Sequence, residues 1–195
     1  MADVSGELLS RRPLSGIRTK AELTWQEALL LLGLGAGAIF LHATFRWPLQ
    51  LPGHHGLEWM ALLVVGRSFS RYRWAASISS LGAAVSSIMP AWGFSDPFIW
   101  LVYLLPGLVM DIGYNLGRYW HGKAWFLAGL GGLALATKPL IRILISTVAG
   151  WPYGSLLYGL MYPLATHILF GFLGGLVGAG LYLGRHSDTQ KVSGR

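Results

Sequence analysis

The chain contains no cysteine, which excludes disulfides, thiolate nucleophiles and cysteine-ligated zinc sites. Charge is scarce as well: Asp, Glu, Lys and Arg make up 12% of the 195 residues, and only 8 are acidic. No polar stretch is long enough for a separate soluble domain. The polar segment 1–22 lacks an apolar core, so it does not read as a cleavable signal peptide, and the first apolar stretch is expected to act as an uncleaved insertion signal. A nucleotide site is missing too. Residues 117–124, GRYWHGKA, match G-x-x-x-x-G-K but place Ala124 where a magnesium-binding loop needs a Ser or Thr hydroxyl, and no strand precedes them. Their basic and aromatic side chains read as an interfacial anchor. The glycines at 129–132 lack the strand-turn-helix context of a dinucleotide site, and no serine elbow of the hydrolase kind occurs.

What is present is apolar: 53% hydrophobic residues, 27 glycines and 9 tryptophans, with a mean hydropathy of +0.51. Six apolar stretches can be drawn, at 25–45, 57–69, 74–92, 97–116, 124–149 and 161–183. The gaps between them alternate in charge. With the N-terminus in the cytoplasm, twelve of the 15 basic residues fall on the inside, in segments around Arg11, Arg67, Arg118 and Arg185. Arg46 alone lies outside, and Lys138 and Arg142 sit within the fifth stretch. This positive-inside pattern predicts an all-α polytopic membrane protein, a bundle of six transmembrane helices with both termini cytoplasmic. The domain limits are a tail at 1–24, a membrane domain at 25–184 and a basic tail at 185–195, in the inner or plasma membrane. The net charge of +7 is then accounted for by loops facing anionic headgroups. The basic residues form no continuous surface for phosphate tracking, so nucleic acid is not an expected partner.

A helix crossing ~30 Å of hydrocarbon needs about 20 residues. Every stretch except the second is long enough, and the second, at 57–69, must thin the bilayer or let Arg67 and Arg71 snorkel. Gly33 and Gly37 in the first stretch, and Gly174 and Gly178 in the last, have the spacing that allows close helix approach. They serve either internal packing or docking of another membrane protein. Pro90, Pro106, Pro139 and Pro163 fall in or at the ends of stretches, where they free carbonyls that line a cavity or kink a helix.

Polar groups at membrane depth are costly and face a cavity or one another. By topology, Glu58 and Trp59 lie at the outer end of the second span, Lys138 near the midplane, Arg142 one turn further out, and His167 in the outer third. His54 and His55 lie in the first outer loop and Asp96 in the one before the fourth span. Their convergence predicts a polar pocket open to the outside. Arg142 is matched in depth by Glu58, as a structural pair or through a bound carboxylate or phosphate. Asp111 lies toward the cytoplasmic end of the fourth span, paired or lining the pocket, with Lys138 as a partner only if the fifth span shifts inward. His42, His54, His55 and His167 with the carboxylates suit ligand hydrogen bonding, interface positioning or a divalent metal. Trp59 is the aromatic expected to stack on a flat ligand.

The topology, the run Leu51-Pro-Gly-His-His-Gly-Leu-Glu-Trp-Met and the closing segment His167-Ile-Leu-Phe-Gly-Phe-Leu-Gly-Gly-Leu-Val-Gly resemble the substrate-binding S component of energy-coupling-factor transporters, over roughly 29–183. The resemblance implies a six-helix fold, an outer pocket beneath a first-loop lid, and capture of a vitamin or related micronutrient without covalent chemistry or a cofactor. It also implies a transmembrane coupling subunit served by two ATPase subunits. Gly33 and Gly37 are the nearest substitutes for that family's Ala-x-x-x-Ala docking pattern. The expected function is therefore a non-enzymatic subunit capturing a small polar or anionic solute. The alternatives are a membrane enzyme acting on a lipid or quinone, and a structural or assembly protein.

Overall fold

Small residues set the distances between the helices. The computed structural model describes residues 22–44, 51–157 and 159–193, with side chains to Arg185. All the regular structure among them is helical: α1 (Trp25–Thr44), α2 (Gly56–Phe69), α3 (Ala75–Ser87), α4 (Ile99–Leu116), α5 (Ala124–Ala149) and α6 (Met161–Ser193), with three short 3-10 turns. Most of the expected N-terminal tail, Arg46 and Trp47 lie outside the described residues. Within the basic tail expected from residue 185, α6 continues to Ser193.

The helices close into a ring in the order α1, α2, α6, α5, α4, α3, and α2 also touches α3, α4 and α5 across the middle. Glycines make the tight seams. A Cβ at Gly35 of α1 would meet the backbone of Ser79 and Ala83, and one at Gly82 of α3 would meet that of Leu32. On α6 the glycines serve two faces: Gly171 and Gly175 lie against Gly131 and Ala128 of α5, while Gly174 and Gly178 lie against Leu57 and Ala61 of α2. Between helices in lipid there is little hydrophobic drive, so close van der Waals packing of this kind holds them together.

Four helices, α1, α4, α5 and the Met161–Arg185 part of α6, are long and apolar enough to cross a membrane. Large apolar side chains stand on the outer surface, Leu30 at 64%, Leu133 at 62% and Val148 at 79% exposure, while Arg67 and Asp111 are buried. That inversion suits a lipid surround. The expectation that the third stretch is long enough to span is corrected: α3 has 13 residues, about 20 Å at ~1.5 Å per residue. It stops at Ser87 because Pro90 starts a separate 3-10 turn and cannot donate to the preceding turn. α2, with 14 residues, buries nine of them, as its central place requires.

The buried ion pair of the bundle is also a correction. Asp111 is not matched to Lys138. Its Oδ1 lies 2.9 Å from Nε of Arg67, a residue expected to snorkel from the cytoplasmic loop. Asp111 accepts from the backbone N–H of Ala76 (3.2 Å) and Ser77 (2.7 Å) and from the Ser77 hydroxyl (2.7 Å). A carboxylate on α4 thus caps the first turn of α3, where N–H groups have no partner within the helix. Arg67 also donates to Asn115 Oδ1 at 3.2 Å and to the carbonyl of Tyr72 at 3.2 Å, and lies 4.0 Å over the Tyr114 ring.

Candidate functional site

The turn entering α2 builds one wall of a cavity. Gly53 takes a left-handed φ of 86°, which favours glycine, and a Cβ there would strike the His167 ring. Backbone bonds from Gly56 N–H to Gly53 O (2.8 Å) and from Leu57 N–H to His54 O (3.2 Å) fold the turn onto the start of α2. The turn presents His54 and His55 side by side, with ring centroids 3.9 Å apart. His42, in the last turn of α1, stacks on His55 at 4.0 Å.

Across from these imidazoles, α5 supplies Lys138 and Arg142, one turn apart on one face, and α6 supplies His167. Together with Tyr103 on α4 they enclose about 200 Å³, room for roughly six or seven waters at ~30 Å³ each. Val102 and Leu135 are also in the wall. They stand four residues before Pro106 and Pro139, the two prolines inside α4 and α5. Neither proline has an N–H to give to the carbonyl four residues back, so the helix ladder is interrupted beside the cavity.

The hydrogen bonds of the histidines fix what each ring offers. Nδ1 of His167 lies 2.6 Å from the Pro163 carbonyl, and Nδ1 of His54 2.6 Å from the Leu51 carbonyl. A carbonyl oxygen only accepts, so both rings donate through Nδ1–H and, when neutral, keep Nε2 as an acceptor. His55 Nδ1 faces the Glu58 carboxylate at 3.3 Å, with the same consequence. Tyr103 Oη lies 3.0 Å from His42 Nδ1. The Lys138 ammonium sits 4.0 Å over the Tyr103 ring, a cation–π contact. Arg142 reaches Ser155 Oγ at 3.5 Å and lies 5.4 Å over the Tyr153 ring. Among the described residues, no carboxylate pairs with either cation.

Of the residues predicted for the site, His54, His55, Lys138, Arg142 and His167 line the cavity. Glu58 stands behind the wall on His55 and makes no pair with Arg142. Trp59 does not line the cavity. It is 2% exposed, packed edge-on to Tyr103 at 6.0 Å. Asp96 lies outside the wall, accepting from the Phe98 N–H at 2.9 Å ahead of α4 and from the Tyr153 hydroxyl at 3.3 Å. In the segment between α5 and α6, burial pushes the Tyr153 phenol up to about 12, reinforced by the Asp96 charge and hydrogen bond and opposed by Arg142. Tyr103 was not foreseen. Its signal is faint, a tyrosine in the first half of an apolar stretch, three residues before a proline. Of the proposed docking glycines, Gly33 and Gly37 have open space in front of them, and Gly174 and Gly178 are occupied by α2. Among the described residues, no three of His, Asp and Glu come together as metal ligands.

No family model matches the chain, and no curated protein or solved structure matches it.

Proposed function

We propose that this protein is a membrane-embedded capture subunit, which takes a small anionic organic solute into the cavity between α5, α6 and the turn before α2. In this reading the chain crosses the inner or plasma membrane six times with both termini in the cytoplasm, and the cavity opens to the outside. One observation carries the reading: Lys138 and Arg142 line the same cavity, and among the described residues no carboxylate forms an ion pair with either. Uncompensated cations at membrane depth are expensive, and an entering anion relieves that cost. The likeness to the S component of energy-coupling-factor transporters supports the further step that transport is driven by a separate transmembrane coupling subunit with two ATPases. No stretch of this chain offers a nucleotide site.

The test is direct. The protein is purified in lipid nanodiscs and its retained small molecules are identified by mass spectrometry, then rebound to the emptied protein. Lys138→Met and Arg142→Met should each weaken rebinding by roughly 30-fold or more, the cost of removing one partner of a desolvated charged contact. Unchanged affinity in both variants would overturn the capture reading.

A further inference from the structure

The cavity wall holds unsatisfied groups of two opposite kinds. Nε of Arg142 is a buried donor without a partner, and Nε2 of His54 is a buried ring nitrogen without one. Because His54 spends its Nδ1–H on the Leu51 carbonyl, its Nε2 is a bare lone pair in the neutral ring. His55 and His167 are committed in the same way, to Glu58 and to the Pro163 carbonyl, and each leaves Nε2 as its remaining polar atom. The site therefore sets two basic side chains, Lys138 and Arg142, in one wall with three imidazoles whose remaining acceptor is Nε2. An occupant made only of acceptors would satisfy the cations and leave the imidazoles bare. A neutral donor would do the reverse. Buried polar groups left unpaired cost affinity, so the occupant that completes this wall has both features.

We infer that the cavity selects a small carboxylate that carries its own N–H donors, with the carboxylate on Lys138 and Arg142 and the donors on Nε2 of the histidines. This rests on the reading of the cavity as a capture site and names the chemistry that fills it. A volume of about 200 Å³ limits the occupant to a single ring or a short chain. A phosphate monoester offers oxygen acceptors in place of N–H groups and matches the wall only if the imidazoles become donors by protonation.

The experiment uses four probes on the protein emptied of retained molecules in nanodiscs, at pH 7.5, where free imidazole is mostly neutral. They are pyrrole-2-carboxylate, furan-2-carboxylate, pyrrole-2-carboxamide and inorganic phosphate. The first two are close in shape and differ at the ring N–H; the third keeps the N–H and removes the negative charge. Binding is read by calorimetry. Pyrrole-2-carboxylate should bind, with the furan and the amide each roughly tenfold or more weaker. His54→Phe keeps a ring in the stack and removes the acceptor, and should shrink the pyrrole-over-furan preference; a preference unchanged in His54→Phe and in His167→Phe overturns the assignment of the acceptors. Furan-2-carboxylate binding as tightly as the pyrrole, or phosphate binding more tightly than both, overturns the donor requirement while leaving anion capture standing. No binding by any of the four, together with nothing retained on purification, overturns the capture reading itself and this inference with it.

Discussion

Arg67 and Asp111 show how a charge is kept in an apolar bundle. Each is wrapped by several partners, so removing one leaves the other buried and under-satisfied, at a cost of about 3–5 kcal/mol. The two losses are not equal, because Asp111 also holds the first N–H groups of α3. Asp111→Ala should therefore lower the unfolding midpoint more than Arg67→Met, as read by thermal unfolding in detergent. Equal loss in the two would mean that the cap contributes nothing. A second residue has a pH signature. A phenol free in an unfolded chain ionises near pH 10, whereas folded Tyr153 holds its proton to about 12. Folding thus favours the protonated form: this contribution is full below pH 10 and is lost as the pH climbs to 12. Ultraviolet difference titration against Tyr153→Phe should show one tyrosine ionising late, and a transition at pH 10 would remove the effect. Neither arrangement could be read along the chain. Arg67 stands in a basic neighbourhood with Arg71 and Arg73, which made a loop role the natural expectation, and nothing local announces a carboxylate on α4.

At the scale of elements, the glycines divide by what stands in front of them. Gly35 of α1 faces the backbone of α3, whereas Gly33 and Gly37 face open space. Gly35→Ala should cost about 1–3 kcal/mol through overpacking, and Gly35→Leu should abolish the monodisperse peak in size-exclusion chromatography. Gly33→Leu should leave that peak in place. Comparable damage from both leucines would contradict the seam. Spacing alone singled out 33 and 37, because they form a regular four-residue pair; a glycine opposite a serine, as Gly35 is opposite Ser79, has no such mark in one sequence. The starts and ends of α5, at Ala124 and Ala149, were legible, since Lys123 and Gly150 flank a long apolar run. The end of α3 was not, because Ile88 and Met89 extend the apolar stretch past the point where Pro90 begins a different turn. In the site, the ionisable residues at membrane depth were legible for the same reason that they are rare there. Trp59 was misplaced by one helix face: it has the same depth as Glu58 but turns inward against Tyr103.

For the whole molecule, the absence of cysteine makes the six-span arrangement simple to test, since each introduced thiol is the only one. Single cysteines at Phe94 and Pro152 should react with a membrane-impermeant reagent added to intact cells, and those at Arg71 and Tyr119 only after lysis. Labelling of Arg71 from outside would break the arrangement at α2. The ring order explains how two helices of 14 and 13 residues fit among four longer ones: α2 stands between α1 and α6 and touches every other helix, and α3 is clasped between α1 and α4 through Gly35, Gly82 and Gly107. The carboxylate that closes the first turn of α3 has a consequence for synthesis. The ribosome completes α3 before it makes Asp111, so the first N–H groups of α3 gain their cap only once α4 has been made and packed beside it.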